Sequence, residues 1–108
     1  MAWVVETLNA VVDDEVSALP ADMRAQLTRI SLMIEEFGLE RMREPYVKHL
    51  QGPLWEMRMR GSDGISRALY VTASSKRVVI VRVFVKKTQK TPEAALDIAR
   101  DRMKEVKK

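Results

Sequence analysis

The sequence predicts an α+β domain, with helices at both ends and a sheet between them. Two observations predict it. From Leu54 to Pro92, three strand-like runs follow one another, joined by tight turns and ending in a basic loop. On either side of that stretch, apolar residues recur at three- and four-residue spacing, the stripe of an amphipathic helix.

Taken in order, Trp3 to Thr7 reads as a short strand. Asn9 can cap a helix from about Ala10 to Leu19, with Val12, Val16 and Leu19 on one face. Asp13, Asp14 and Glu15 fall in its early turns, where the helix dipole favours negative charge; consecutive helical positions diverge, so solvated charge is expected there rather than a metal site. Pro20 suits the first turn of a second helix, which ends at Phe37 before Gly38. Met23, Leu27, Ile30, Ile34 and Phe37 form its apolar stripe. Leu39 to Pro53 is broken by Pro45, Gly52 and Pro53 and is expected to be irregular; it holds Arg41, Arg43, Tyr46, Lys48 and His49, the only histidine. A lone histidine in a connector is ordinarily a surface residue.

The strand run Leu54 to Arg60 alternates Trp55, Met57 and Met59 with Glu56, Arg58 and Arg60. Gly61-Ser62-Asp63-Gly64 is a hairpin signal, Ile65 to Ala73 a second strand, Ser74-Ser75-Lys76 a turn, and Arg77 to Lys86 a Val/Ile-rich third strand. Thr91-Pro92-Glu93 starts a last helix, with Thr91 as cap, running to about Val106 with Leu96, Ala99, Met103 and Val106 buried.

At 108 residues the chain is read as one domain, 1–108. There is no cysteine, which excludes disulfides and thiolate metal sites and fits a reducing, cytoplasmic setting. The start lacks the pattern of a signal peptide, and no apolar run approaches the ~20 residues of a membrane span. Charge is segregated. Residues 1–40 carry two basic and eight acidic residues, net −6, whereas residues 41–108 carry 17 basic and seven acidic, net +10. An anionic partner for the second part is the natural inference.

Glu56, Arg58 and Arg60 share a face of their strand; Arg67 shares one with Ile65 and Leu69, and Arg82 with Phe84 and Lys86. If these faces coincide, Arg58, Arg67, Arg82 and Lys86 form a patch, extended along the loop by Lys87 and Lys90, with helices on the other side. Guanidinium forks hold phosphate oxygens bidentately and stay charged. In RNA cleavage by the neighbouring 2′-hydroxyl, such cations stabilise the phosphoryl oxygens without covalent chemistry. Lys86 or Lys87, crowded by other cations, is a candidate base, and Tyr46 or Tyr70 a candidate for stacking or proton donation. The structural alternative is cross-sheet ion pairing, as between Glu56 and Arg67.

Three blocks carry a resemblance: Val47-Lys48-His49-Leu50-Gln51-Gly52-Pro53-Leu54-Trp55-Glu56-Met57-Arg58, then Asp63-Gly64-Ile65-Ser66-Arg67-Ala68-Leu69-Tyr70, then Phe84-Val85-Lys86-Lys87-Thr88-Gln89-Lys90-Thr91-Pro92. In this order and spacing they resemble the phage-derived HigB-like toxins of the RelE superfamily. The resemblance implies a RelE-like α+β fold: two N-terminal helices packed on a small, mainly antiparallel sheet of about four strands, plus a C-terminal helix. It implies the toxin of a type II toxin–antitoxin module, a metal-independent endoribonuclease without cofactor that cuts messenger RNA on the ribosome. The implied partner is a helix-turn-helix antitoxin, with DNA reached only through it. On this reading Arg67, Lys86, Lys87 and Arg58 are catalytic. Arg60, Arg82, Lys90, Lys48 and Tyr70 bind RNA or the ribosome. The alternative is a non-catalytic RNA- or antitoxin-binding module of the same fold.

Overall fold

The computed structural model describes residues 2–86 and 90–107. Its elements are β1 (Val4–Thr7), α1 (Ala10–Ser17), α2 (Ala21–Phe37), a 3₁₀ turn (Leu39–Arg41), β2 (Val47–Gln51), β3 (Leu54–Gly61), β4 (Gly64–Ala73), β5 (Arg77–Lys86) and α3 (Glu93–Met103). The strands form one sheet in the order β1-β5-β4-β3-β2. β1 lies parallel to β5, and every other pair is antiparallel. The sheet therefore has five strands rather than about four. The additional one is β2, from the connector expected to be irregular. Gly52 supplies the positive φ of the β2–β3 turn, and Pro53 sits in that turn, where no ladder N–H is needed.

Alternation along the strands divides the apolar residues between two layers. Met57, Met59, Ala68, Tyr70, Val78 and Ile80 face Val12, Leu19, Met23, Leu27, Ile30 and Ile34 of the two N-terminal helices. Leu54, Leu69, Val71, Val79 and Val81 face Ala95, Leu96, Ala99 and Val106 of the C-terminal segment. The α2 stripe is core, with one exception: Phe37, at its C-terminal end, is 55% exposed.

A β-bulge leaves Val81 unpaired, since Leu69 opposes Arg82 and Tyr70 opposes Ile80. It changes the parity of β5. Val79 and Val81 pack on the α3 side, and beyond the bulge Arg82, Phe84 and Lys86 also fall there, opposite Leu69, Arg67 and Ile65. Without that extra residue, Arg82 would follow Ile80 into the apolar layer beneath α1 and α2.

Local chemistry fixes the helices. The Asn9 side chain accepts from Val12 N at 3.1 Å, the expected cap of α1. Asp22, in the first turn of α2, accepts from Ser62 N at 2.8 Å and ties the helix to the β3–β4 turn. The backbone bond from Ser62, the largest influence, holds the Asp22 carboxyl below its usual range. Gly38 ends α2 at φ 92°, ψ 146°, a region essentially closed to residues with a Cβ.

A Cβ at Gly38 would also meet Glu40 Oε1, which accepts from Trp3 Nε1. Gly38→Ala is expected to cost about 1–3 kcal/mol, lowering Tm by about 4 °C or more. Thermal unfolding followed by circular dichroism checks this, and an unchanged Tm would show the turn to be unstrained.

Candidate functional site

The α3 helix covers only part of its sheet face. The β3, β4 and β5 segments beyond it carry charge. Register places Arg58 opposite Arg67 and Arg67 opposite Phe84; Arg60 opposes Ile65, which opposes Lys86. Lys48 on β2 opposes Glu56 on β3. The expected coincidence of faces therefore holds for Arg58, Arg60, Arg67 and Lys86, with Lys48 alongside.

Glu56 is the centre of this arrangement. It is 1% exposed. Its Oε2 lies 3.1 Å from Nε of Arg58 and 3.1 Å from Nε of Arg67, and its Oε1 accepts from the Thr91 hydroxyl at 2.7 Å. A buried carboxylate needs such partners, because an isolated charge in an apolar interior is costly. Thr91 is thus occupied, and it does not cap α3: the cap position is Pro92, without a side-chain bond.

Arg67 is itself 3% exposed. Its Nε lies 3.1 Å from Glu56 Oε2, so the buried guanidinium faces a carboxylate counter-charge. Its Nη1 donates to the Ser66 carbonyl at a long 3.4 Å. Burial lowers the Arg67 pKa, Glu56 opposes that, and Arg58 and Arg60 add to it. Lys86 is 3% exposed. Burial first, then the Arg67 charge, hold its ammonium below the usual lysine range, with Glu56 acting the other way.

Two clefts open on this face. A small one of about 70 Å³ is lined by Pro45, Arg58, Arg60, Ile65 and Arg67. A larger one of about 380 Å³ runs between the β2–β3 edge and the start of α3, with Lys48, Leu50, Gln51, Glu56, Arg58 and Lys90 in its wall. Arg58 belongs to both.

Four expectations need correction or lie elsewhere. Tyr70 is 1% exposed and packs among the apolar residues beneath α1 and α2, on the opposite face from Arg67; burial raises its pKa, so it is a core residue rather than one that touches RNA. Arg82 is on the expected face but turned to the sheet margin. Its Nη1 donates to Glu15 Oε2 at 2.7 Å, and its guanidinium lies 5.9 Å from the Phe84 ring. Glu15 also accepts from Arg102 and from Val83 N, so it is a bridge between α1, β5 and α3 rather than solvated helix-start charge. Lys87 lies outside the described residues. His49 Nε2 contacts the Gly52 carbonyl at 2.8 Å and its ring rests against Trp55, 4.9 Å between centroids. Among the described residues no group of three or more His, Cys, Asp or Glu is placed to hold a metal ion, and no helix is long and apolar enough to cross a membrane.

Sequence reasoning missed Glu15 and Thr91 as structural partners. Their signal was weak, since each contact joins residues at least 35 positions apart. Glu56→Ala leaves a buried Arg67 without its counter-charge and is expected to cost about 3–5 kcal/mol, measured by urea unfolding. A loss under about 1 kcal/mol, typical of an exposed ion pair, would show that Glu56 does not organise the site.

A chain in the crystal structure of the archaeal RelE–RelB complex from Pyrococcus horikoshii OT3 matches with a TM-score of 0.57 at 21% identity, covering 79% of this chain and 96% of that one. At that identity the likeness concerns the fold, which is RelE-like. No curated protein matches the chain. Residues 14–104 match the family model described as Phage derived protein Gp49-like (DUF891), and on that match the chain belongs to the Gp49-like phage-derived family.

Proposed function

We propose that this protein is the toxin of a type II toxin–antitoxin module, of HigB-like type, and that it cuts messenger RNA on the ribosome without a metal. The observation that carries this reading is Arg67. A guanidinium that is 3% exposed, its Nε 3.1 Å from the Glu56 carboxylate, lines a cleft with two further arginines. Three guanidiniums around one small cleft suit an anion such as a phosphate. The family and the RelE-like fold support the same reading.

In the reaction proposed, the 2′-oxygen attacks the adjacent phosphorus, the bond to the 5′-oxygen breaks, and that oxygen takes a proton from water, leaving a cyclic phosphate and a 5′-hydroxyl. Arg58 and Arg67, cross-strand neighbours, hold the non-bridging oxygens as charge builds on them. Lys86 takes the 2′-hydroxyl proton, for which its lowered pKa suits it. Lys87 is proposed as a further cation at the same phosphate, and Arg60, Lys48 and Lys90 as contacts to flanking backbone. The partner proposed is a helix-turn-helix antitoxin, with DNA engaged only through it, and the setting is cytoplasmic.

One observation favours the non-catalytic alternative. Glu56 already faces two of the arginines, as it would in a purely structural ion-pair cluster. Primer extension on a reporter message in a translation extract containing EDTA-treated protein separates the two. Wild type is expected to produce cuts within translated codons, absent without translation. Arg58→Ala and Arg67→Ala are each expected to lower cutting about 100-fold or more, the value of one oxyanion contact, while antitoxin binding and the circular dichroism spectrum persist. No cuts by folded wild type would leave the binding module.

The base assignment has its own test. Because the Lys86 pKa is lowered, its free-amine fraction grows at lower pH than for an ordinary lysine. Cleavage should rise with pH and level off below the ordinary lysine pKa of about 10.4, and Lys86→Met should flatten the rise. An unchanged profile in Lys86→Met would remove Lys86 from the role.

A further inference from the structure

We infer that the larger cleft seats the nucleotide next to the phosphate being cut, and that Gln51 reads its base. The inference rests on the nuclease reading of the neighbouring arginines and adds the substrate subsite that sets sequence preference. The two clefts differ in what they can hold. The small one, at about 70 Å³, has room for a phosphate group and is lined by three guanidiniums. The larger, at about 380 Å³, is within the size range of small-molecule sites and large enough for a nucleoside. Arg58 lines both, so a phosphate in the first continues directly into the second.

The larger cleft is also composed for a nucleotide. Leu50 and Leu96 give it an apolar side on which a base can lie. Lys48, Arg58 and Lys90 bring positive charge around it. Its two carboxylates are already engaged, Glu56 by Arg58, Arg67 and Thr91, and Glu93 by Arg100 at 2.9 Å, so neither opposes an incoming phosphate with its full charge. Gln51 is pinned through its oxygen by Arg100 Nη1. That contact fixes the orientation of the carboxamide and leaves the NH₂ to donate. The base expected there is one that presents a carbonyl or ring-nitrogen acceptor along that edge. Gln51 and Lys48 are both exposed and lie on the β2 edge strand, so replacing either leaves the core untouched.

Two measurements test this. In the translation extract, Gln51→Ala is expected to keep cutting but to lose discrimination among bases beside the cut by about five-fold or more, the lower end of what one base contact is worth. Lys48→Ala should weaken all cuts alike. Cuts with unchanged positions and efficiencies in both variants would overturn the subsite and leave the nuclease reading intact. The second measurement is an amide NMR titration of wild type with a non-cleavable 2′-O-methyl trinucleotide, which does not depend on cleavage. Shifts at Leu50, Gln51 and Leu96 support the subsite even if no cutting is ever seen. Shifts confined to Arg58, Arg60 and Arg67 overturn it, as would a poly-glutamate peptide that moves the same resonances equally, since that would mark an acidic protein segment as the occupant.

Discussion

The charged half of the sheet depends on one buried carboxylate. Glu56 faces inward between Arg58 and Arg67, and Thr91 reaches it from the segment leading into α3. Buried charge of this kind rarely adds net stability compared with apolar packing of the same volume, yet removing one member leaves the others unpaired. Its effect here is positional. Three side chains from β3, β4 and the start of α3 are held to a single point, so the guanidinium directions and the mouth of the larger cleft are set together. A helix start that would ordinarily be capped by its own threonine gives up that bond, and the C-terminal layer is registered on the sheet instead.

The same bond connects fold and site. α3 packs on Leu69, Val71, Val79 and Val81, a cluster to which Arg58 and Arg60 do not belong. Beyond it Arg60 is exposed and Arg58 half-buried, with Arg67 and Lys86 buried beside them, and the bulge at Val81 is what turns Phe84 and Lys86 to that side. A regular β5 would send those two side chains beneath α1 and α2, where a lysine has no water and no counter-charge. The cost of an irregular ladder is small beside that of burying an ammonium in an apolar layer.

Much of this was legible in the sequence, and the exceptions have physical causes. Period-two alternation located β3, and runs rich in β-branched residues between turn signals located β4 and β5, to within a residue or so, and Asn9 marked its helix, because these signals are local. The cross-strand coincidence of Arg58, Arg67 and Lys86 followed from parity. Tyr70 could have been excluded by the same rule: it is three residues from Arg67, an odd separation, which places it on the other face. β2 was hidden by the prolines and glycine around it, although an edge strand with a turn at Gly52-Pro53 tolerates them. The position of Arg82 was not legible, since it depends on a bulge and on Glu15, 67 residues away in the chain. Thr91 was misread for a related reason: a buried acceptor from a distant strand outcompeted the local backbone.

The segregation of charge has the same origin. The acidic surplus of residues 1–40 is not simply solvated. Glu35 accepts from Val5 N at 2.9 Å, Glu15 from Val83 N, Asp22 from Ser62 N and Glu40 from Trp3 Nε1. These acids satisfy donors around the margin of the sheet, including backbone N–H groups beyond the reach of a neighbouring strand. The first third of the chain thus folds its negative charge into the periphery of the scaffold, while the cations of the remainder gather where α3 leaves the sheet uncovered. The result is a domain of modest net charge, +4, with a concentrated positive site, because a field that draws a polyanion depends on where the charges stand rather than on their total.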